Sequence, residues 1–278
     1  MAILFTFGTN DLGLAEARPD ARGQMNIHVD GSSGIISYVD LHNVRAIPYL
    51  LYGGNTPQPP LRLPVKPRLV FNQVADPDSH GIALGRCVEL CDALGVPVIN
   101  HPKRIQRTSR EQVAQRLDGI PGVRIPRTLR CAPESPEDVF VLAAEAGIAQ
   151  DFIFRTAGEH NGSNMVRIRG ESELRKLHAF PFDGRDFYLI EFVDYSGDES
   201  VYRKHRICMI DGKPYPKHSS FHEHWKVHIG AGGGAEFVKE HPEFGTPAEL
   251  LDELINELLP PARERLQEID RRLGLDFL

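Results

Sequence analysis

The chain has 278 residues, with 32 Lys or Arg against 38 Asp or Glu and a net charge of −6. Its 41% hydrophobic and 25% charged residues are the composition of a soluble globular protein of about two domains, which excludes disordered, collagenous and membrane classes. The acidity argues against an obligatory nucleic-acid partner, because a duplex-binding surface needs a field of Lys and Arg.

No apolar run approaches the roughly 18 residues that would span a bilayer, and residues 1–7 lack the basic start and cleavage site of a leader. Cys87, Cys91, Cys131 and Cys208 form no CxxC pair and no disulfide framework, so a cytoplasmic location is expected. Cys87 and Cys91, four apart in a helical stretch, read as core residues.

In chain order, strands are expected at residues 2–7, 34–41, 47–52 and 68–74, which are β-branched or aromatic-rich and bounded by turn residues. The proline-rich stretch 53–67 reads as a loop. Asp78 and Ser79 open a helix whose apolar residues are Ile82, Leu84, Val88, Leu90, Cys91 and Leu94, and Gly95 stops it before a strand at 96–99. Strand, helix, Gly, strand is a βαβ unit, for which a parallel sheet covered by helices is the expected packing.

Residues 100–130 carry eight Lys or Arg against two acids, whereas 239–278 carry ten acids against five bases. A basic belt in an acidic chain could receive an anionic ligand, although most of these arginines read as a solvated helix face. Further strands are expected at 123–129, 152–156, 165–168, 187–193 and 202–209. A helix capped by Ser135 with Pro136 at its first position follows the first of these, and a short helix or turn is expected at 172–177. Asp211-Gly212 marks a hairpin turn. Two helices, 248–259 and 261–273, are expected to be divided by Pro260-Pro261.

Three segments could carry chemistry. Arg155 ends an apolar strand and leads into a turn in which Gly158 and Gly162 free the backbone to aim N–H groups at one point, a phosphate-cradling pattern that an ordinary hairpin also uses. Glu191 interrupts an apolar strand and needs either a partner or a ligand, for which a ribose is one candidate. In the third segment Tyr202, Lys204 and Arg206 share one strand face, and Arg203 and His205 the other.

The order of these segments, with Val70-Phe-Asn-Gln-Val-Ala-Asp-Pro-Asp78, Pro97-Val-Ile-Asn-His-Pro102, Gly119-Ile-Pro-Gly-Val-Arg-Ile-Pro126 and Tyr202-Arg-Lys-His-Arg206, resembles the ATP-grasp fold over nearly the whole chain. The group it resembles is uncharacterised and sometimes joined to tetratricopeptide repeats. The resemblance implies an α/β fold, α+β in its C-terminal part, with a Rossmann-like pre-ATP-grasp domain at residues 1–100. Lobes at 101–190 and 191–278 would sandwich ATP.

It further implies an ATP-dependent carboxylate–amine ligase that works through an acyl phosphate. Arg110 and Arg155 would take the places of nucleotide-binding lysines. His160, Asn161, Gly162, Ser163 and Asn164 would form the loop over the phosphates, and Glu191, Phe192 and Val193 the hinge beside the nucleoside. Arg203, Lys204 and Arg206 would contact phosphate or acyl substrate. Mg²⁺ is expected for the fold, but its usual ligands, an Asp and a Glu-x-Asn strand, do not appear before residue 278, and Asp276 precedes the first position. On this reading the C-terminal lobe is incomplete, and the final apolar residues call for a homo-oligomeric contact or a partner chain.

The alternatives from other classes are a nucleotide-binding module without catalysis and a metalloprotein using His218, His222, His224 and His228 with Glu223, a spacing that matches no HExxH helix. Gly230 to Gly234 reads as a mobile loop.

Overall fold

In the computed structural model, residues 1–14, 16–19, 23–28, 40–159, 162, 164–197, 200–227 and 241–278 are described. The chain divides into two compact units, Met1–Gln112 and Val113–Leu278. Most of the strand expected at 34–41 lies outside the described residues, as does the glycine loop at 230–234.

The first unit is built on four parallel strands in the order β4-β1-β5-β6: β1 (Ala2–Gly8), β4 (Arg45–Leu51), β5 (Leu69–Asn72) and β6 (Val98–Ile99). A separate antiparallel pair, β2 (Glu16–Pro19) and β3 (Met25–His28), was not legible as strands. The stretch between β4 and β5 is a loop, as its prolines require.

Helix α1 (Gly81–Leu94) buries Ala83, Leu84, Cys87, Leu90 and Cys91, the spacing of one helical face, and Gly95 ends it in the left-handed conformation with its N–H on the Cys91 carbonyl. Both cysteines are free and buried. The start of α1 differs from the local expectation. Asp78 and Ser79 precede the helix and do not cap it; Asp11, at the end of β1, accepts from the N–H groups of Gly81 at 3.0 Å and Ile82 at 2.8 Å. A carboxylate 70 residues away thus supplies the charge that a helix N-terminus favours. Short helices α2 (Pro102–Ile105) and α3 (Arg110–Leu117) follow.

The second unit has an antiparallel sheet in the order β7-β10-β8-β9: β7 (Thr128–Cys131), β10 (Phe187–Glu191), β8 (Asp151–Thr156) and β9 (Met165–Arg169). Strand β7 begins later than expected, because Pro126 has no N–H to give a ladder. One sheet face buries Phe152, Phe154, Ile168, Phe187 and Leu189 against α4 (Pro136–Glu145) and a 3-10 helix (Glu171–Ala179). Phe154 and Phe187 stack with centroids 4.7 Å apart. Ser135 caps α4 by accepting from the Asp138 N–H at 3.2 Å, as its sequence signals.

Strands β11 (Tyr202–Ile210) and β12 (Lys213–His222) form the expected hairpin, with Asp211 and Gly212 in the left-handed region and a bulge between Arg206 and Ile207. The helices behind it are not separated at the double proline. Helix α5 (Pro247–Glu253) runs through a wide turn, Leu254–Leu258, into α6 (Leu259–Leu273). There the Leu259 N–H reaches back five residues to Leu254, so the prolines fall in a new first turn where missing N–H groups cost least.

The final residues lie along β11: Met209 and Leu278 exchange backbone hydrogen bonds of 2.9 and 3.0 Å. No described helix is long and apolar enough to cross a membrane.

Two outcomes follow. A Cβ at Gly53 would stand 1.8 Å from the Asn10 carbonyl oxygen. Gly53→Ala should therefore destabilise the first unit by about 1–3 kcal/mol in chemical denaturation. Asp270 is held above the usual carboxylate range by burial and by Asp211 and Asp276. Its ionised form costs stability above the unfolded-state pKa, and the cost is relieved as pH falls through the raised value. Asp270→Asn should raise the melting temperature at neutral pH, and the gain should shrink on acidification.

Candidate nucleotide-binding face

All the residues of this face belong to the second unit. Its sheet has a second side, read from the strand register. One cross-strand row runs Arg130, Tyr188, Arg155, Met165, and the next Thr128, Ile190, Ile153, Arg167. Tyr188 is fully buried and Arg155 is 6% exposed, so this side is covered at its centre although it carries a cation. The Arg155 guanidinium donates through Nη2 to the carbonyl of Glu159, which ties the strand to the turn that follows it.

In that turn the described glycines take the left-handed conformation open to them. Gly158, Gly162 and Asn164 have φ of 73°, 70° and 44°, and Thr156 N–H donates to the Asn164 carbonyl at 3.2 Å. His160, Asn161 and Ser163 lie outside the described residues. Gly162 is packed under Lys226, whose Cε would be 2.7 Å from a Cβ at that position. Lys226 was not singled out from the sequence, where nothing marks it among the surrounding histidines.

Glu191 has found a protein partner. Its Oε1 pairs with Arg124 Nη2 at 2.5 Å and its Oε2 accepts from the Arg127 N–H at 3.1 Å, which accounts for an acid at the end of an apolar strand. Phe192 N–H donates to the Asp151 carbonyl at 3.1 Å, and Val193 is half-buried beside it. The Phe192 ring lies under the Arg167 guanidinium, 3.3 Å from the ring centroid, and meets Trp225 edge-on at 6.0 Å. Arg167 is held in place by both oxygens of Asp151, at 2.7 and 2.5 Å. Arg167 and Trp225 complete this part of the face and were also missed, since a lone Arg in a short strand reads as surface.

The hairpin carries cations of its own. The Tyr202 phenol lies close enough to Arg167 and Asp194 to act on both electrostatically, and its ring meets Tyr195 edge-on at 5.0 Å. Tyr202 is paired with His222, Lys204 with Ser220 and Arg206 with His218, so these residues form one hairpin face. Burial lowers the Lys204 pKa, and Arg206 lowers it further. Lys204 and Arg206 are exposed, the described residues provide no carboxylate partner for either, and two like charges on one strand face mark a place where an anion would be stabilised.

Arg203 stands on the other face, over the rings of Phe221 at 5.7 Å and Phe244 at 6.0 Å, with His205. The structure does not bring it together with Lys204 and Arg206. Arg110 belongs to the first unit, where it opens α3.

The described histidines do not assemble as a metal centre. His222 and His224 stack at 5.1 Å, His241 is within 3.8 Å of Glu223, and His228 lies outside the described residues. Among the described residues no group of three or more His, Cys, Asp or Glu is placed to hold a metal ion. The described residues do not supply a set of ligands for Mg²⁺.

No protein-family model matches the sequence, and no curated protein matches it. Among solved structures the chain is similar to D-cycloserine synthetase DcsG, at 13% identity and a TM-score of 0.48 over 99% of this chain and 83% of that one. It is similar to D-alanine–D-alanine ligase from Bacillus anthracis complexed with ATP, at 11% identity and 0.48 over 98% and 77%. It is also similar to a RimK domain protein ATP-grasp from Sphaerobacter thermophilus, at 12% and 0.47 over 98% and 82%. Solved structures similar to this mixed α/β chain thus include proteins of the ATP-grasp fold, and likenesses at this level concern architecture alone.

Proposed function

We propose that the chain binds ATP and acts as an ATP-dependent carboxylate–amine ligase of the ATP-grasp type. The observation that carries the reading is the side-by-side placing of Lys204 and Arg206 on one hairpin face with no carboxylate partner among the described residues, in the same unit as the strand of Arg155 and its glycine turn. In this reading residues 1–100 are the pre-ATP-grasp domain, and the sheet and hairpin are the cores of lobes 101–190 and 191–278.

Each residue then has a task. Arg155 and the turn around Gly162 hold the phosphates, with Lys226 above the turn. Glu191, fixed in orientation by Arg124, accepts from the ribose hydroxyls, and the Phe192–Val193 backbone borders the base. Lys204 and Arg206 neutralise charge on the reacting groups, the kind of electrostatic stabilisation on which phosphoryl transfer depends.

The γ-phosphoryl group passes to a carboxylate, giving ADP and an acyl phosphate. An amine attacks the acyl carbon, the C–N bond forms, and inorganic phosphate leaves with the C–O bond's electrons. No step is assigned to a metal, because the described residues do not hold one. The carboxylate and the amine are not specified by these residues.

Arg155→Ala should weaken ATP binding at least tenfold, about 1.4 kcal/mol, in calorimetry. Unchanged affinity would remove Arg155 from the site. ADP release with a panel of carboxylates and amines separates a ligase from a module that only binds nucleotide.

A further inference from the structure

The Lys204–Arg206 face has a third member whose part in the reading above is unassigned. His218 lies directly across the hairpin from Arg206, on the same face as Lys204 and ahead of the register slip at Ile207. Its ring is half-buried. We propose, resting on the nucleotide-binding reading, that Lys204, Arg206 and His218 receive a phosphoryl group rather than the substrate carboxylate, and that His218 takes up a proton as that group arrives.

The geometry makes the imidazole answer to whatever sits on this face. Among the described residues the charges acting on His218 are positive: Arg206 across from it, Lys217 beside it on β12, and Lys204 two residues along β11. The acids of the helices behind the hairpin act elsewhere, Glu253 on His205 of the other face and Asp270 on Asp211 at the turn. Burial holds the His218 pKa below its ordinary value, and the three cations press it further down. The ring is therefore neutral around pH 7 while the face is empty of anions.

An incoming dianion reverses the balance. It cancels the field of Lys204 and Arg206 and offers acceptor oxygens to a protonated ring, so the proton, drawn from solvent, becomes favourable to bind. A carboxylate brings one negative charge and leaves one of these two cations still opposing protonation of the ring. A phosphoryl group brings about two, which offsets both, and offers further acceptor oxygens to the ring. The choice between phosphate and acyl substrate, which the two cations alone leave open, is thereby decided by the histidine.

The test uses pyrophosphate and acetate as probes of the intact chain, with calorimetry in two buffers of different ionisation enthalpy near about pH 6.5 and an NMR titration of the His218 ring. Pyrophosphate should bind with proton uptake and raise the His218 titration midpoint; acetate, a monoanion, should bind more weakly and leave it in place. His218→Gln should still bind pyrophosphate but lose the uptake beyond that of the anion itself. Its affinity should be roughly fivefold weaker near pH 6 and unchanged near pH 8, the factor that one partly exposed ion pair supplies.

Equal affinity of His218→Gln and the parent chain at both pH values overturns the proposal, as does acetate matching pyrophosphate in affinity and uptake. If ATP binds and the His218 ring does not respond, this inference falls and the nucleotide reading stands. If pyrophosphate drives the uptake and ATP does not bind, the anion face stands and the nucleotide reading falls. If neither binds, both fall.

Discussion

Arg167 is the joint on which the candidate site depends. Its guanidinium is gripped by both oxygens of Asp151, lies flat on Phe192 and is met by the Tyr202 phenol. A planar fork with five donors can satisfy a carboxylate in its plane and an aromatic ring on its face at once, which an ammonium cannot. Through that one group strand β8, the chain leaving β10 and the hairpin strand β11 are fixed to one another. The cations of the hairpin are placed relative to the sheet by this contact, and Trp225 closes over the same ring.

The distribution of paired and unpaired charge is the second organising feature. Arg130 is paired with Asp186, Arg167 with Asp151 and Arg124 with Glu191, each within 2.6 Å. Lys204 and Arg206 lack such a partner among the described residues while lying side by side. Like charges packed together without acids destabilise the free protein. Two exposed cations on one hairpin face, beside a sheet whose Arg130 and Arg167 are paired, form a surface suited to an anion.

The sequence made local features legible and left cross-chain ones hidden. Ser135 caps α4, Gly95 ends α1, and the alternation of Tyr202, Lys204 and Arg206 against Arg203 and His205 appears as a two-faced strand, because each depends on neighbours a few residues away. The start of α1 and the partner of Glu191 depended on Asp11 and Arg124, 70 and 67 residues distant, and no local pattern points to them. The double proline was read as a break because proline lacks an N–H, and the chain meets that lack with a wide turn. Lys226 and Arg167 became visible only when the glycine turn and the Phe192 ring supplied their surroundings.

The capping of α1 by Asp11 carries a kinetic consequence. The first turn of that helix is complete only after the end of β1 has reached it, so two distant parts of the first unit must meet before either is finished. Closing a loop of that length costs conformational entropy before any bond repays it, which places the contact late among the events of folding. The helix can form its central turns from local sequence alone, and the amides of Gly81 and Ile82 would then be the last of its backbone to be shielded from solvent. The registration of strand and helix is thus recorded at two N–H groups, a built-in reporter of when the first unit has assembled.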